Sequence, residues 1–148
     1  MYRSILVPVD ATPESRKVIA PAIRLAQEQN AKLVGLHVIP AQRVNAFEGS
    51  TTYGYVSPQQ YATRAKKYAE KVLDSVRKAA VRAEVEFVSV HAVSDQPHAE
   101  ILNAAKRHRC DLIYMASHAR RGLSRVLLGS ETTKVLAHSR IPVLVHPT

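Results

Sequence analysis

The stretch from Met115 to Thr133, MASHARRGLSRVLLGSETT, concentrates the residues best suited to holding an anion. An apolar run ends at Ala116, a basic loop with Arg120, Arg121 and Arg125 follows, and Gly129-Ser130 opens a helical pattern. A helix N-terminus presents unpaired N–H donors and a partial positive charge, so it attracts phosphate. Gly129 lets a ligand approach the backbone closely, and the hydroxyls of Ser130 and Thr132 add donors. Ser130 also suits a plain helix cap; the two roles are compatible.

Catalysis has less to draw on. Ser117-His118 sets a hydroxyl beside an imidazole, but sequence neighbours rarely have the geometry of a nucleophile and its base, and no third group is assignable to orient the histidine. The Gly-x4-Gly-Lys-(Ser/Thr) loop that places a lysine at a transferring phosphate is absent. His37 and His91 fall inside strand-like runs, where a satisfied sheet histidine is the default, and no His/Cys/Asp/Glu set has metal spacing. The one cysteine, Cys110, lies where a helical pattern gives way to a strand and reads as a small apolar plug. The expectation is a binding protein, without a catalytic constellation and without a metal of its own.

Five apolar runs must position these residues. They are Ile5–Val9, Leu33–Ile39, Val85–His91, Leu112–Ala116 and Val143–Val145. Four helical patterns lie between them. Thr12-Pro13 caps the first, whose stripe is Val18, Ile19, Ala22, Ile23 and Ala26. The second begins near Ser57-Pro58 with Tyr61, Ala65, Tyr68, Val72, Val76 and Ala79 along one side, Pro97 opens the third with Ile101, Leu102 and Ala105, and Gly129-Ser130 opens the fourth. Strands alternating with helices predict one α/β domain over residues 1–148, a doubly wound, mostly parallel five-stranded sheet with helices on both faces. Ligands of such sheets bind beyond the carboxyl ends of the strands where strand order reverses. That names the turns after Val9, Ile39 and Ala116. The long irregular stretch from Pro40 to Val56 follows one of these ends and is placed to cover a site there.

The chain has 148 residues, 46% of them apolar and 22% charged, an ordinary globular balance. No apolar run approaches the roughly 20 residues of a membrane span, and the first run is too short for a signal peptide's core. A lone cysteine suits a reducing compartment, so the expected location is the cytoplasm. The formal charge of +9 favours anionic partners, with basic clusters at Arg64-Ala65-Lys66-Lys67, Lys106-Arg107-His108-Arg109 and Arg120-Arg121. The first two fall on predicted helices and read as solvated faces. With 5% aromatics and no basic stretch interleaved with them, nucleic acid is not the expected partner.

The segment beginning Met115-Ala116-Ser117-His118-Ala119-Arg120 and reaching Gly129-Ser130 resembles the nucleotide-binding signature of the universal stress protein family. That signature is Gly-x2-Gly-x9-Gly-(Ser/Thr), set in Met-Gly-Ser-His-Gly-Arg. The opening Ile5–Asp10 and the closing Ile141-Pro142-Val143-Leu144-Val145 resemble the family's first and last strands, so the likeness spans essentially the whole chain. It implies an adenine nucleotide alpha hydrolase-like, Rossmann-like fold and a stress-response role, with ATP or AMP as ligand. The implied binding residues are Pro8, Val9 and Asp10 near the ribose, Val38 beside the adenine, Met115, Ala116, His118, Ala119 and Arg120 around the sugar and phosphates, and Gly129, Ser130, Glu131 and Thr132 at the phosphate chain.

Two departures bear on that ligand. Ala116 and Ala119 stand where the signature has glycine. A left-handed backbone at position 119 would cost alanine about 1–2 kcal/mol, roughly 5–30-fold in affinity if only the bound form needs it. Glu131 adds a negative charge beside Gly129-Ser130, offset by Arg120, Arg121 and Arg125. Weakened nucleotide binding is therefore the expectation, and the alternative is a family member that acts as an interaction module without nucleotide. The last strand is short, apolar and bracketed by Pro142 and Pro147, which suits a sheet edge. The resemblance implies homodimerisation through Val143–Val145.

Overall fold

A computed structural model describes residues 1–41, 57–117 and 128–148. The strands are β1 (Ser4–Pro8), β2 (Lys32–Ile39), β3 (Phe87–Val93), β4 (Leu112–Ala116) and β5 (Val143–His146). The helices are α1 (Pro13–Lys17), α2 (Ile19–Gln29), α3 (Pro58–Arg82), α4 (Pro97–Arg107) and α5 (Ser130–His138). All pairings are parallel, and the sheet runs β3-β2-β1-β4-β5. The chain winds outward from β1 through β2 to β3, then crosses back to β4 and on to β5. Strand order therefore reverses between β1 and β4.

Both faces of the sheet are covered, as the continuous apolar runs require. Ile5, Val7, Leu33, Leu112, Tyr114 and Ala116 turn to one face, against Val18, Ala22, Ile23 and Ala26 of the first helical segment and Leu73, Val76 and Ala80 of α3. Leu6, Val34, Leu36, Ile113 and Met115 turn to the other, against Ile101, Ala104 and Ala105 of α4 and Val135 of α5. Burying these side chains contributes most of the folding free energy, at about 25 cal/mol per Å² removed from water.

Two sequence expectations are adjusted here. The first helical pattern is broken at Val18 into α1 and α2. Pro21 has no N–H for the carbonyl four residues back, so the first turn cannot run uninterrupted into the second. The apolar side of α3 is also rotated from the expected one: Ala65, Ala69, Leu73, Val76 and Ala80 are buried, whereas Tyr68 is 42% exposed. The expected start of α3 holds, with Ser57 and Gln60 forming a reciprocal capping box ahead of Pro58.

Cys110 is buried, and its Sγ lies 3.4 Å from Ser4 Oγ. Burial raises its thiol pKa, so it is a core residue rather than a reactive thiolate. At the opposite end of the strands from the turns of interest, the Asp111 carboxylate accepts from the backbone N–H of Arg3 and Ser4 and ties the starts of β1 and β4 together.

Candidate functional site

β1 and β4 are paired only at Ile5↔Leu112 and Leu6↔Ile113, whereas β1 pairs with β2 along its whole length. The two strands part toward their carboxyl ends, at the point where the winding reverses. In open sheets of this kind that point of reversal is where a ligand crevice lies, here beyond Pro8 on one side and Ala116 on the other. The N-terminus of α5 closes its far side, because Gly129 N–H donates to Ser117 O at 2.7 Å and Thr132 Oγ1 donates to Ala116 O at 3.1 Å.

Gly129 is the N-cap of α5, so Ser130 is the first helical residue and not the cap. Gly129 carries no side-chain acceptor, and among the described residues the first-turn N–H groups receive no side-chain cap. Such a helix start keeps its donors available to an external anion. Ser130 is exposed, with no side-chain hydrogen bond among the described residues. Thr132 is 2% exposed, and its one hydroxyl proton goes to Ala116 O. Its hydroxyl thus anchors the helix to β4, and only its N–H faces the expected role at an anion.

On the β1 side, Val9 is buried, its N–H donating to Leu36 O and its carbonyl lying 2.7 Å from His37 Nδ1. This is the satisfied sheet histidine that the sequence suggests, and its ring also packs against Tyr68. Asp10 is half-buried at the mouth of the crevice. Its Oδ1 accepts from Thr12 N and Thr12 Oγ1, and its N–H donates to the buried Ser15 Oγ at 2.9 Å. Thr12 Oγ1 in turn accepts from Ser15 N and caps α1. Asp10 therefore does serve the turn into the first helix, while its half-exposed position is the one expected of a ribose-facing acid. Thr12 is the N-cap expected from the sequence, while the part Ser15 plays in holding the Asp10 N–H was not; the Thr-x-x-Ser spacing before a helix is its signal.

Three other expected residues face inward. Met115 and Ala116 are buried, Met115 against the α4–α5 layer and Ala116 against the α1–α3 layer. Val38 is half-buried and packs with the α4 layer. These positions can offer a ligand backbone groups, but the side chains of Met115 and Ala116 are core. Because the Ala116 methyl lies in the core, it does not occupy the crevice. Pro8 is half-buried at the end of β1. His118, Ala119 and Arg120 lie outside the described residues, as do Arg121 and Arg125 and all of residues 42–56.

Glu131 shows an arrangement not anticipated from sequence. Its Oε2 accepts from His98 N at 2.8 Å and from His98 Nδ1 at 3.1 Å, and its Oε1 from Lys134 Nζ at 3.0 Å. Burial pushes its pKa up, but the hydrogen bonds from Lys134 and His98 outweigh that and hold it below the ordinary glutamate value. The carboxylate also supplies the start of α4 with an acceptor that its N-cap, Gln96, does not provide. Its charge is thereby partnered on the α4 side. Ser117 is likewise engaged, its Oγ lying 3.3 Å from both Thr148 Oγ1 and Thr148 N, which removes it further from a nucleophile's role. Among the described residues no group of three His, Cys, Asp or Glu side chains is placed to hold a metal ion, and no helix is long and apolar enough to cross a membrane.

Comparison with known proteins gives this geometry a context. The model of the family described as "Universal stress protein family" matches residues 1–147. Universal stress protein YxiE of Bacillus subtilis is 33% identical over 149 residues, covering 98% of this chain and 99% of YxiE. Among solved structures, hypothetical protein MJ0577 superposes with a TM-score of 0.80 at 24% identity, covering 100% of this chain and 97% of its own. Two more distant ones contain a nucleotide. A universal stress protein in complex with cAMP has a TM-score of 0.67 at 18% identity, covering 99% of this chain and 97% of its own. An Arabidopsis thaliana family protein with AMP bound has a TM-score of 0.67 at 17% identity, covering 99% and 91%. At these identities the structural likenesses establish the fold.

Proposed function

The chain belongs to the universal stress protein family, and on that footing we propose that it holds an adenine nucleotide, ATP or AMP, in the crevice between β1 and β4. It acts as one domain over residues 1–148, as a regulatory stress-response protein in the cytoplasm and not as an enzyme. The observation that carries this reading is the parting of β1 and β4 opposite an α5 N-terminus that lacks a side-chain cap among the described residues. The donor set fits the ligand: backbone N–H groups and the Ser130 hydroxyl for phosphate, and the half-exposed Asp10 carboxylate for the sugar hydroxyls. The partnered Glu131 presents less opposing charge than the bare sequence suggests. The bound nucleotides of the cAMP-containing and AMP-containing relatives support the same ligand class.

Binding is proposed to be weak, because Ala119 stands where the family signature has glycine. That substitution also favours the second reading, a family member that works through protein contacts without nucleotide. Calorimetry of ligand-stripped protein with AMP, ADP and ATP separates the two. Saturable heats for AMP or ATP that strengthen at least fivefold in Ala119→Gly are expected; absent or millimolar-only binding in both proteins rejects the nucleotide reading.

The protein is further proposed to be a homodimer through β5. This strand is at a sheet edge, Leu144 on it is 37% exposed, and Leu136 on the adjoining α5 is 41% exposed. Light scattering should give twice the chain mass, reduced to one in Leu144→Glu; a monomeric wild-type chain at micromolar concentration contradicts it.

A further inference from the structure

The exposed side of α3 places Arg64, Lys67, Lys71, Lys78 and Arg82 on one line, at successive spacings of three, four, seven and four residues. All five are exposed, on the side of the helix opposite the buried Ala65, Ala69, Leu73, Val76 and Ala80. The line runs about 27 Å at the α-helical rise. One acid stands on it, Asp74, and Lys78 already pairs with it. Arg64, Lys67, Lys71 and Arg82 have no ion pair among the described residues. Flanking this line, Arg77 is occupied by Ser89 Oγ at 2.8 Å, and Glu70 lies well round the helix.

A solvated helix face usually mixes opposite charges at these spacings, which stabilises it. Here Arg64–Lys67, Lys67–Lys71 and Lys78–Arg82 are like-charge neighbours, which destabilise an isolated helix, and Glu70 and Asp74, three residues after Lys67 and Lys71, offset only part of that repulsion. A polyanion laid along the line relieves that repulsion. We propose that this ridge of α3 binds the phosphate backbone of duplex nucleic acid, without reading base sequence. Along about 27 Å a duplex carries roughly sixteen charges, one per about 1.7 Å of its axis, so each of the five cations has phosphates within reach. The other side chains along the line are Ser75 and, beside it, the 42% exposed Tyr68, with no Asn or Gln between Arg64 and Arg82, so Lys and Arg contacts to phosphate position without specifying. The ridge is less suited to a lipid surface. A membrane-bound helix sinks its apolar face among the headgroups, and the apolar stripe of α3, Ala65, Ala69, Leu73, Val76 and Ala80, is buried in the fold.

The absence of a recognisable nucleic-acid module in the sequence does not oppose this. Such modules carry base readout, whereas the ridge is electrostatic and depends only on which side of α3 is exposed. It is also independent of the nucleotide crevice, so either proposal can fail alone.

The test measures fluorescence anisotropy of a labelled 20-base-pair DNA duplex with the full chain across about 25–200 mM salt. The wild type should bind with log K falling against log salt at a slope of roughly −4, corresponding to four or five phosphates. A Lys67→Gln, Lys71→Gln, Arg82→Gln variant should lose at least tenfold in affinity at about 50 mM salt and flatten the slope by about three. A Lys106→Gln, Arg107→Gln, Arg109→Gln variant removes the same charge from the end of α4 and should leave both nearly unchanged. No binding by the wild type at the lowest salt overturns the proposal. So does equal loss in the two variants, which would make net charge the whole cause. Binding to vesicles of phosphatidylserine and phosphatidylcholine without binding to the duplex would assign the ridge to a membrane and equally overturn it.

Discussion

Replacing Thr132 by valine removes one hydroxyl and nearly nothing else, at the contact that fixes α5 against the end of β4. The Thr132 hydroxyl donates to Ala116 O at 3.1 Å from a site only 2% exposed. Valine puts a methyl against that carbonyl and leaves it short of a donor where water has little access. Losing such a buried bond costs about 1–3 kcal/mol. For a chain of this size that lowers Tm by roughly 3–9 °C. Urea unfolding followed by circular dichroism should show the same loss as a lower midpoint with an unchanged m-value. Thr132→Ser keeps the hydroxyl and gives up one buried methyl, about 1 kcal/mol, so it should be the milder change if the hydrogen bond dominates. Because the first-turn N–H groups of α5 are held in place by this bond, AMP affinity should fall with the valine variant and recover with serine. A valine variant as stable as wild type, with unchanged nucleotide affinity, refutes the anchoring role.

Other expectations concern the frame around the site. In Gly35→Ala the new Cβ would lie 2.6 Å from Phe87 Cζ, 2.9 Å from Phe87 Cε2 and 3.2 Å from Leu73 Cδ2. Overpacking of that kind costs about 1–3 kcal/mol, and a double-mutant cycle with Phe87→Leu should show coupling of about 0.5 kcal/mol or more; additive effects would disprove the clash. Glu131 has its folded pKa depressed, so its contribution to stability is complete above the ordinary glutamate value and is lost as pH falls through the depressed one. Glu131→Gln should therefore narrow the stability gap to wild type in acid, and a constant gap from pH 7 down through that range would contradict the linkage. Arg109 and Glu84 hold φ of 52° and 56° just past α4 and α3. Glycine at either position should raise the urea midpoint, by about 0.5–1 kcal/mol of stability, and a lowered midpoint would show that their side chains matter more than their backbone.

The sheet was legible because buried parallel strands are continuous apolar runs, and Ile5–Val9, Leu33–Ile39 and Leu112–Ala116 have no other reading between helical patterns. The reversal of strand order between β1 and β4 was legible for the same reason, since strand order follows from winding. What escaped were facts of rotation and partnership. The tyrosines of α3 pulled its expected core side away from Leu73 and Ala80, because a Tyr counts as apolar in a pattern although its ring can lie half in solvent, as Tyr68 does. The break at Val18 hung on one proline inside a convincing stripe. Met115 and Ala116 belong to the motif expected at the ligand, yet a strand buried on both faces leaves their side chains only the core. The tie between Glu131 and His98 joins two helices 33 residues apart, and no local spacing announces it.

The central claim is that the crevice between β1 and β4, closed by the start of α5, is where an adenine nucleotide sits. Titrating AMP into the isotopically labelled chain and following backbone amide resonances tests it most directly. Saturable shifts at Val9, Asp10, Gly129, Ser130, Glu131 and Thr132, with β5 and the exposed side of α3 unmoved, are predicted. Shifts confined to other parts of the fold, or none at saturating AMP, would contradict it.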